Sequence, residues 1–122
     1  MSRILVIDDD SSVRQIVKTA LELDKHEVVE AENGNEGLRR WREDRPDLVI
    51  TDIMMPEKDG YETLFELLTM EPNVKVIAMT GGGWRDTLDR LWDAQLHGAS
   101  RTIPKPFSLT EMRRIVAEVL AQ

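Results

Sequence analysis

Apolar residues along this chain switch repeatedly between two spacings. Ile4-Leu5-Val6-Ile7 is a short, β-branched-rich apolar run bounded by charge, the pattern of a buried strand. Val13, Ile16, Val17, Ala20 and Leu21 then recur at helical spacing. Val28-Val29 marks a weaker second strand, closed by the turn signal Asn33-Gly34. Leu38 and Trp41 predict a second helix over 37–42, which Pro46 breaks, and Leu48-Val49-Ile50 forms a third strand. Tyr61, Leu64, Phe65 and Leu68 place a third helix after Gly60, and residues 74–79 form a fourth strand. Beyond the loop Gly81-Gly82-Gly83, the residues Trp84, Leu88, Leu91 and Trp92 make a fourth helical stripe, and residues 99–103 a weak fifth strand. Ser108 and Glu111 have the spacing of a capping box, each satisfying a free backbone N–H. Met112, Ile115, Val116, Val119 and Leu120 continue it as a fifth helix.

Five strands alternating with five helices imply an α/β fold, a parallel sheet with helices on both faces. The expected architecture is doubly wound and flavodoxin-like, with strand order 2-1-3-4-5 and the second strand outermost. Ligands of such sheets bind beyond the carboxyl ends of the strands. Those ends carry chemistry here: Asp8, Asp9 and Asp10 after the first strand, Asp52 after the third, Thr80 after the fourth, and Lys105 between Pro104 and Pro106 after the fifth.

The 122 residues suit one domain, 1–122. Lys and Arg number 16 against 23 Asp and Glu, a formal charge of −7. That surface repels phosphate backbones, which argues against direct nucleic-acid binding. The absence of cysteine removes disulfides, thiol catalysis and cysteine zinc sites. The N-terminal apolar run is too short for a signal peptide or a membrane span, so no membrane partner and a cytoplasmic location are expected.

Clustered carboxylates need a positive neighbour, since two like charges at 4 Å repel by roughly 4 kcal/mol at an effective dielectric near 20. An all-oxygen ligand set favours Mg²⁺, Mn²⁺ or Ca²⁺, and Mg²⁺ pairs readily with one or two carboxylates and phosphate oxygens. A carboxylate beside that ion, a lysine and a threonine hydroxyl is a good phosphoryl acceptor. Gly81 would leave the phosphate room to approach.

The runs 6–10 (Val-Ile-Asp-Asp-Asp), 50–56 (Ile-Thr-Asp-Ile-Met-Met-Pro), Asp59-Gly60, 78–81 (Ala-Met-Thr-Gly), Gly98-Ala99 and Lys105-Pro106-Phe107 together resemble the response-regulator receiver domain of two-component signalling, in order and across the whole chain. The resemblance implies that Asp52 is phosphorylated, that Asp9 binds Mg²⁺ directly and Asp8 through water or partly directly, and that the Met54 carbonyl completes the metal shell, with Mn²⁺ as a possible substitute. It implies that Thr80 contacts the phosphoryl group and shifts on phosphorylation, and that Lys105 pairs with the phosphate through a usually cis Lys105-Pro106 bond. A histidine kinase or a histidine phosphotransfer protein would be the donor. A downstream protein effector would read the face formed by the fourth helix, fifth strand and fifth helix, about residues 84–120. The protein would be a phosphoacceptor with no output domain, not an enzyme beyond self-catalysed transfer and slow autodephosphorylation.

The chain departs from the family in places. Thr102 stands where the family often has an aromatic switch residue, and it cannot act as an aromatic rotor. The triple-glycine loop is longer than usual, and apolar Met54 replaces a commonly polar residue, which should alter the lifetime of the phosphate. Plainer roles compete at several positions: Asp10 as a helix cap, Asp59 as a turn former, Trp84 and Trp92 as core or as a partner anchor, His26 and His97 as surface residues, and the Arg39-Arg40 and Arg113-Arg114 pairs as solvated faces. A haloacid-dehalogenase-type phosphatase would use Asp8 as nucleophile and leave Asp52 and Lys105 unexplained. A flavin-binding protein would meet three repelling aspartates at its phosphate loop.

Overall fold

A run of consecutive apolar residues is stable as a strand only where both faces of the sheet are covered, because side chains alternate between faces. The computed structural model describes residues 2–53, 60–81 and 98–122. Within them β3 (Leu48–Asp52) and β4 (Val76–Thr80) are buried along their whole length, and β1 (Arg3–Ile7) is buried from Ile4 onward. With β2 (Glu27–Ala31) and β5 (Arg101–Pro104) they form a five-stranded sheet, every pairing parallel, in the order β2-β1-β3-β4-β5. That is the order expected from the alternation. Pro104 closes β5 at the sheet's edge, where its missing N–H breaks no ladder.

Four helices lie among the described residues: α1 (Ser11–Leu23), α2 (Gly34–Asp44), α3 (Gly60–Met70) and α4 (Leu109–Leu120). The helix expected around Trp84, Leu88, Leu91 and Trp92 lies outside the described residues, as do His97, Gly82, Gly83, Met54 and Asp59. One sheet face, with Ile4, Val6, Leu48, Ile50, Ile77, Met79 and Ile103, packs on α1 and α4. The other, with Leu5, Ile7, Val49 and Val76, packs on α2 and α3 through Leu38, Trp41, Leu64 and Leu67. An added Cβ on Gly37 would collide with Ile7 Cδ1, so glycine lets α2 lie close on β1.

Local sequence sets most helix ends. The Asp10 carboxylate accepts from Ser12 N–H at the start of α1, and the Ser108–Glu111 capping box opens α4. Asn33-Gly34 is not the turn expected after β2. Asn33 caps α2 by accepting from the Glu36 N–H, and Gly34 is that helix's first residue, because an Asx side chain serves helix starts as readily as turns. The strands also shift: β4 starts at Val76, not 74, and β5 at Arg101, not 99. Both β3 and β4 run on to Asp52 and Thr80, held by the register pairs Asp52–Met79 and Thr80–Pro104. His26 is half-buried rather than on the surface, its Nδ1 accepting from Ser2 N–H at 3.0 Å.

Candidate functional site

Parallel strands in register bring their carboxyl ends to one edge of the sheet. Ile7 ends β1 beside Thr51, Asp52 ends β3 beside Met79, and Thr80 ends β4 beside Pro104. The expected residues Asp8, Asp9, Asp52, Thr80 and Lys105 therefore stand at neighbouring strand ends. Ligand atoms of Asp8, Asp9 and Asp52 lie within 4.8 Å of one another, a set that could hold a metal ion. Asp8 is fully buried and Asp52 is 5% exposed, while Asp9 faces solvent.

Lys105 knits the cluster together. Its Nζ donates to Asp8 Oδ2 at 2.8 Å and lies 3.3 Å from Asp52 Oδ2. The other Asp8 oxygen, Oδ1, accepts from Asp10 N–H at 2.9 Å, so both oxygens of this buried carboxylate are engaged. Burial is the largest influence on Asp8 and raises its pKa, against the lowering effect of the Lys105 and Asp10 hydrogen bonds. Burial draws the Lys105 ammonium down, but the hydrogen bond to Asp8 and the charges of Asp52 and Asp8 outweigh it, and its pKa ends up raised. The lysine is thus held as a fixed cation.

Lys105 is positioned from its backbone as well. Its N–H donates to the Thr80 carbonyl at 2.6 Å, tying it to the end of β4, and the Lys105–Pro106 bond is cis, as the family resemblance implies. Thr80 is fully buried, and its hydroxyl has no hydrogen-bond partner among the described residues. A buried hydroxyl normally finds a partner, so one at the strand end next to an acidic, lysine-bearing cluster suits an oxygen-rich ligand. Among the described residues a Cβ on Gly81 would meet Lys105 Cδ alone, at 3.8 Å, an ordinary contact. Thr102 is half-buried on β5, opposite Ala78.

Two further residues support the site. Arg14 Nη1 donates to the Asp8 carbonyl at 2.7 Å while its Nε pairs with Glu30, steadying the β1–α1 connection. An arginine on an amphipathic helix gives no signal of that role. Gly60 donates its N–H to the Ile53 carbonyl at 2.7 Å, and an added Cβ would collide with Asp52 O and Ile53 Cα. The start of α3 thus rests directly on the backbone of Asp52, and the nearby Asp59-Gly60 pair is the only sequence signal of it.

A family model described as the response regulator receiver domain matches residues 4–117. A curated relative, the "Probable transcriptional regulator ycf27" of Pyropia yezoensis, is 39% identical over 118 residues, which cover 97% of this chain and 47% of that protein. The "Transcriptional regulatory protein CpxR homolog" of Haemophilus influenzae is 37% identical over 98% of this chain and 51% of that protein. The chain spans about half the length of these curated relatives. A solved receiver domain protein from Clostridium thermocellum superposes with a TM-score of 0.90 at 35% identity, covering 99% of this chain and 95% of that one.

Proposed function

The chain belongs to the response regulator receiver domain family of two-component signalling, and from that premise we propose that Asp52 accepts a phosphoryl group with the help of Mg²⁺. The observation that carries the proposal is the convergence of Asp8, Asp9 and Asp52 within 4.8 Å of one another, with Lys105 reaching both Asp8 and Asp52 and, at the next strand end, a Thr80 hydroxyl without a partner among the described residues. The donor is a histidine kinase or a histidine phosphotransfer protein. An Asp52 oxygen attacks phosphorus, the phosphorus–nitrogen bond of the phosphohistidine breaks, and the histidine nitrogen leaves with that electron pair.

Phosphoryl transfer requires alignment and neutralisation of the equatorial oxygens more than bond-making chemistry from the protein. Lys105 neutralises one oxygen and the Thr80 hydroxyl donates to another. Asp8, Asp9 and Asp52 would hold the metal, with the Met54 carbonyl, outside the described residues, as a further ligand. Once bound, Mg²⁺ supplies charge neutralisation to the carboxylates and to a phosphoryl oxygen, and Mn²⁺ can replace it. Asp9, being exposed, can ligate directly, whereas Asp8 has both oxygens hydrogen-bonded and serves mainly through water. Thr80 then shifts toward the phosphate without an aromatic partner, since Thr102 occupies that position. The change passes to a downstream protein through the face expected over about residues 84–120, of which 84–97 lie outside the described residues. Residues 1–122 act as one receiver domain, a phosphoacceptor, not a turnover enzyme, in the cytoplasm; no described helix is long and apolar enough to cross a membrane.

Incubation with Mg²⁺ and acetyl phosphate tests the proposal by intact mass. One added phosphoryl group per chain, abolished by chelator and by Asp52→Asn, is expected. Undiminished labelling of Asp52→Asn overturns it.

A further inference from the structure

Arg14, near the start of α1, grips the backbone of the acidic cluster from one side and β2 from the other. Its Nη1 donates to the Asp8 main-chain carbonyl at 2.7 Å, and its Nε donates to Glu30 Oε1 at 3.2 Å. Its side chain is only 13% exposed. Lys18, one turn further along α1, lies 3.8 Å from the other Glu30 oxygen. The Asp8 N–H is tied to β2 as well, donating to the Ala31 carbonyl at 3.1 Å. A cavity of about 150 Å³, lined by Arg14, Glu30, Ala31, Glu32 and Glu36, adjoins this pair. An arginine released from Glu30 would have room there to swing off the carbonyl. That carbonyl begins the peptide unit leading into Asp9. Asp9 is exposed, and no side-chain hydrogen bond holds it among the described residues. Its carboxylate is therefore placed by the backbone from which it departs.

We propose that Arg14, held by Glu30, is a positioning residue for the metal site: by fixing the Asp8–Asp9 peptide it sets where Asp9 presents its carboxylate, and so how tightly Mg²⁺ binds. The proposal rests on the assignment of Asp8, Asp9 and Asp52 as the metal site. Removing Arg14 has two effects of opposite sign. As a charge beside the cluster, the guanidinium opposes a second cation, so its loss would strengthen Mg²⁺ binding. As a clamp on the backbone, it orients a ligand, so its loss weakens binding. The sign of the change therefore tells the two roles apart. Groups that orient metal ligands typically contribute about 10–100-fold in affinity, and the low end of that range, about tenfold, is expected for an exposed ligand such as Asp9.

Titration calorimetry of Mg²⁺ binding to the whole chain tests it, with circular dichroism to establish that each variant is folded. Arg14→Gln should raise Kd about tenfold. Arg14→Lys keeps the charge but loses the fork that grips carbonyl and carboxylate together, and should raise Kd about threefold. Arg113→Gln breaks an exposed pair at the far end of α1 and should keep the parent Kd, which separates positioning from a general loss of stability. In labelling by acetyl phosphate, the Mg²⁺ concentration for half-maximal rate should rise by the same factors, and the maximal rate should change less. An unchanged or lower Kd in Arg14→Gln overturns this proposal and leaves the acceptor assignment standing. If Arg14→Gln does not fold, Arg14→Lys decides, and a parent Kd in that variant overturns the proposal. A parent chain that binds no Mg²⁺ overturns both this proposal and the metal site beneath it.

Discussion

Replacing Asp52 by Asn removes one of three acidic groups whose ligand atoms lie within 4.8 Å of one another. At 4.8 Å and an effective dielectric of 20, Asp8 repels Asp52 by about 3.5 kcal/mol. Asp9 is exposed, so water reduces its share to about 1 kcal/mol. Lys105, 3.3 Å away, attracts Asp52 by about 5 kcal/mol on the same scale. These terms nearly cancel, so burial decides the sign. Asp52 is only 5% exposed, and burying an ion costs several kcal/mol even after relaxation. Asparagine keeps the shape, avoids most of that cost and leaves Lys105 with Asp8. The variant should be more stable than the parent by about 2 kcal/mol in chelator, raising Tm by roughly 7 °C for a chain of this size. Thermal unfolding followed by circular dichroism measures it. Mg²⁺ at ten times its Kd should then stabilise the parent by about 1.4 kcal/mol and the variant by less. A variant that melts at or below the parent in chelator would refute the claim that the charges at this site are under strain without metal.

Lys105→Gln leaves the fully buried Asp8 carboxylate without its cation, and a loss of about 3 kcal/mol is expected in urea unfolding near neutral pH. Because the folded-state pKa of Asp8 is raised above 3.8, its penalty is absent below the unfolded value and appears as pH rises through the folded one. The gap between the two proteins should therefore narrow on acidification, and a gap that widens contradicts the assignment. Asp24 behaves oppositely. The Arg113 hydrogen bond holds its pKa below 3.8, so its stabilising effect is present above that value and is lost as pH falls through the lowered folded one; Arg113→Gln should flatten the stability profile below about pH 4. Gly60→Ala forces a methyl against the Asp52 and Ile53 backbone and should cost about 2–3 kcal/mol. Gly37→Ala displaces only the Ile7 side chain while gaining helix propensity and should cost about 1 kcal/mol or less, so equal losses in denaturant titrations would sink this distinction.

Much of this fold is written locally. The run Ile4 to Ile7 has to be covered on both faces, and the structure divides it accordingly, Ile4 and Val6 toward α1 and α4, Leu5 and Ile7 toward α2 and α3. The Ser108–Glu111 cap needs only a four-residue stretch, so it is readable without tertiary information. The candidate site was readable for a different reason: a parallel sheet must gather its strand ends, so charged residues following apolar runs had to meet. Features set by distant partners were not readable. The last strand residues Asp52 and Thr80 belong to β3 and β4 because neighbouring strands extend that far, which their own polarity conceals. Asn33-Gly34 serves a turn or a helix start equally well, and the packing of α2 on β1 decides for the helix. The Arg113–Asp24 pair joins residues 89 apart in sequence, and no local pattern distinguishes those two from other solvated charges.

The central claim is that Asp52, rather than Asp8 or Asp9, carries phosphorus. Borohydride reduction of the chain after labelling with acetyl phosphate and Mg²⁺ converts an acyl phosphate side chain to an alcohol, and peptide mapping then locates it. Homoserine is expected at position 52 alone, in amounts that fall to background when Mg²⁺ is chelated. Homoserine at position 8 or 9, with residue 52 still aspartate, would contradict it.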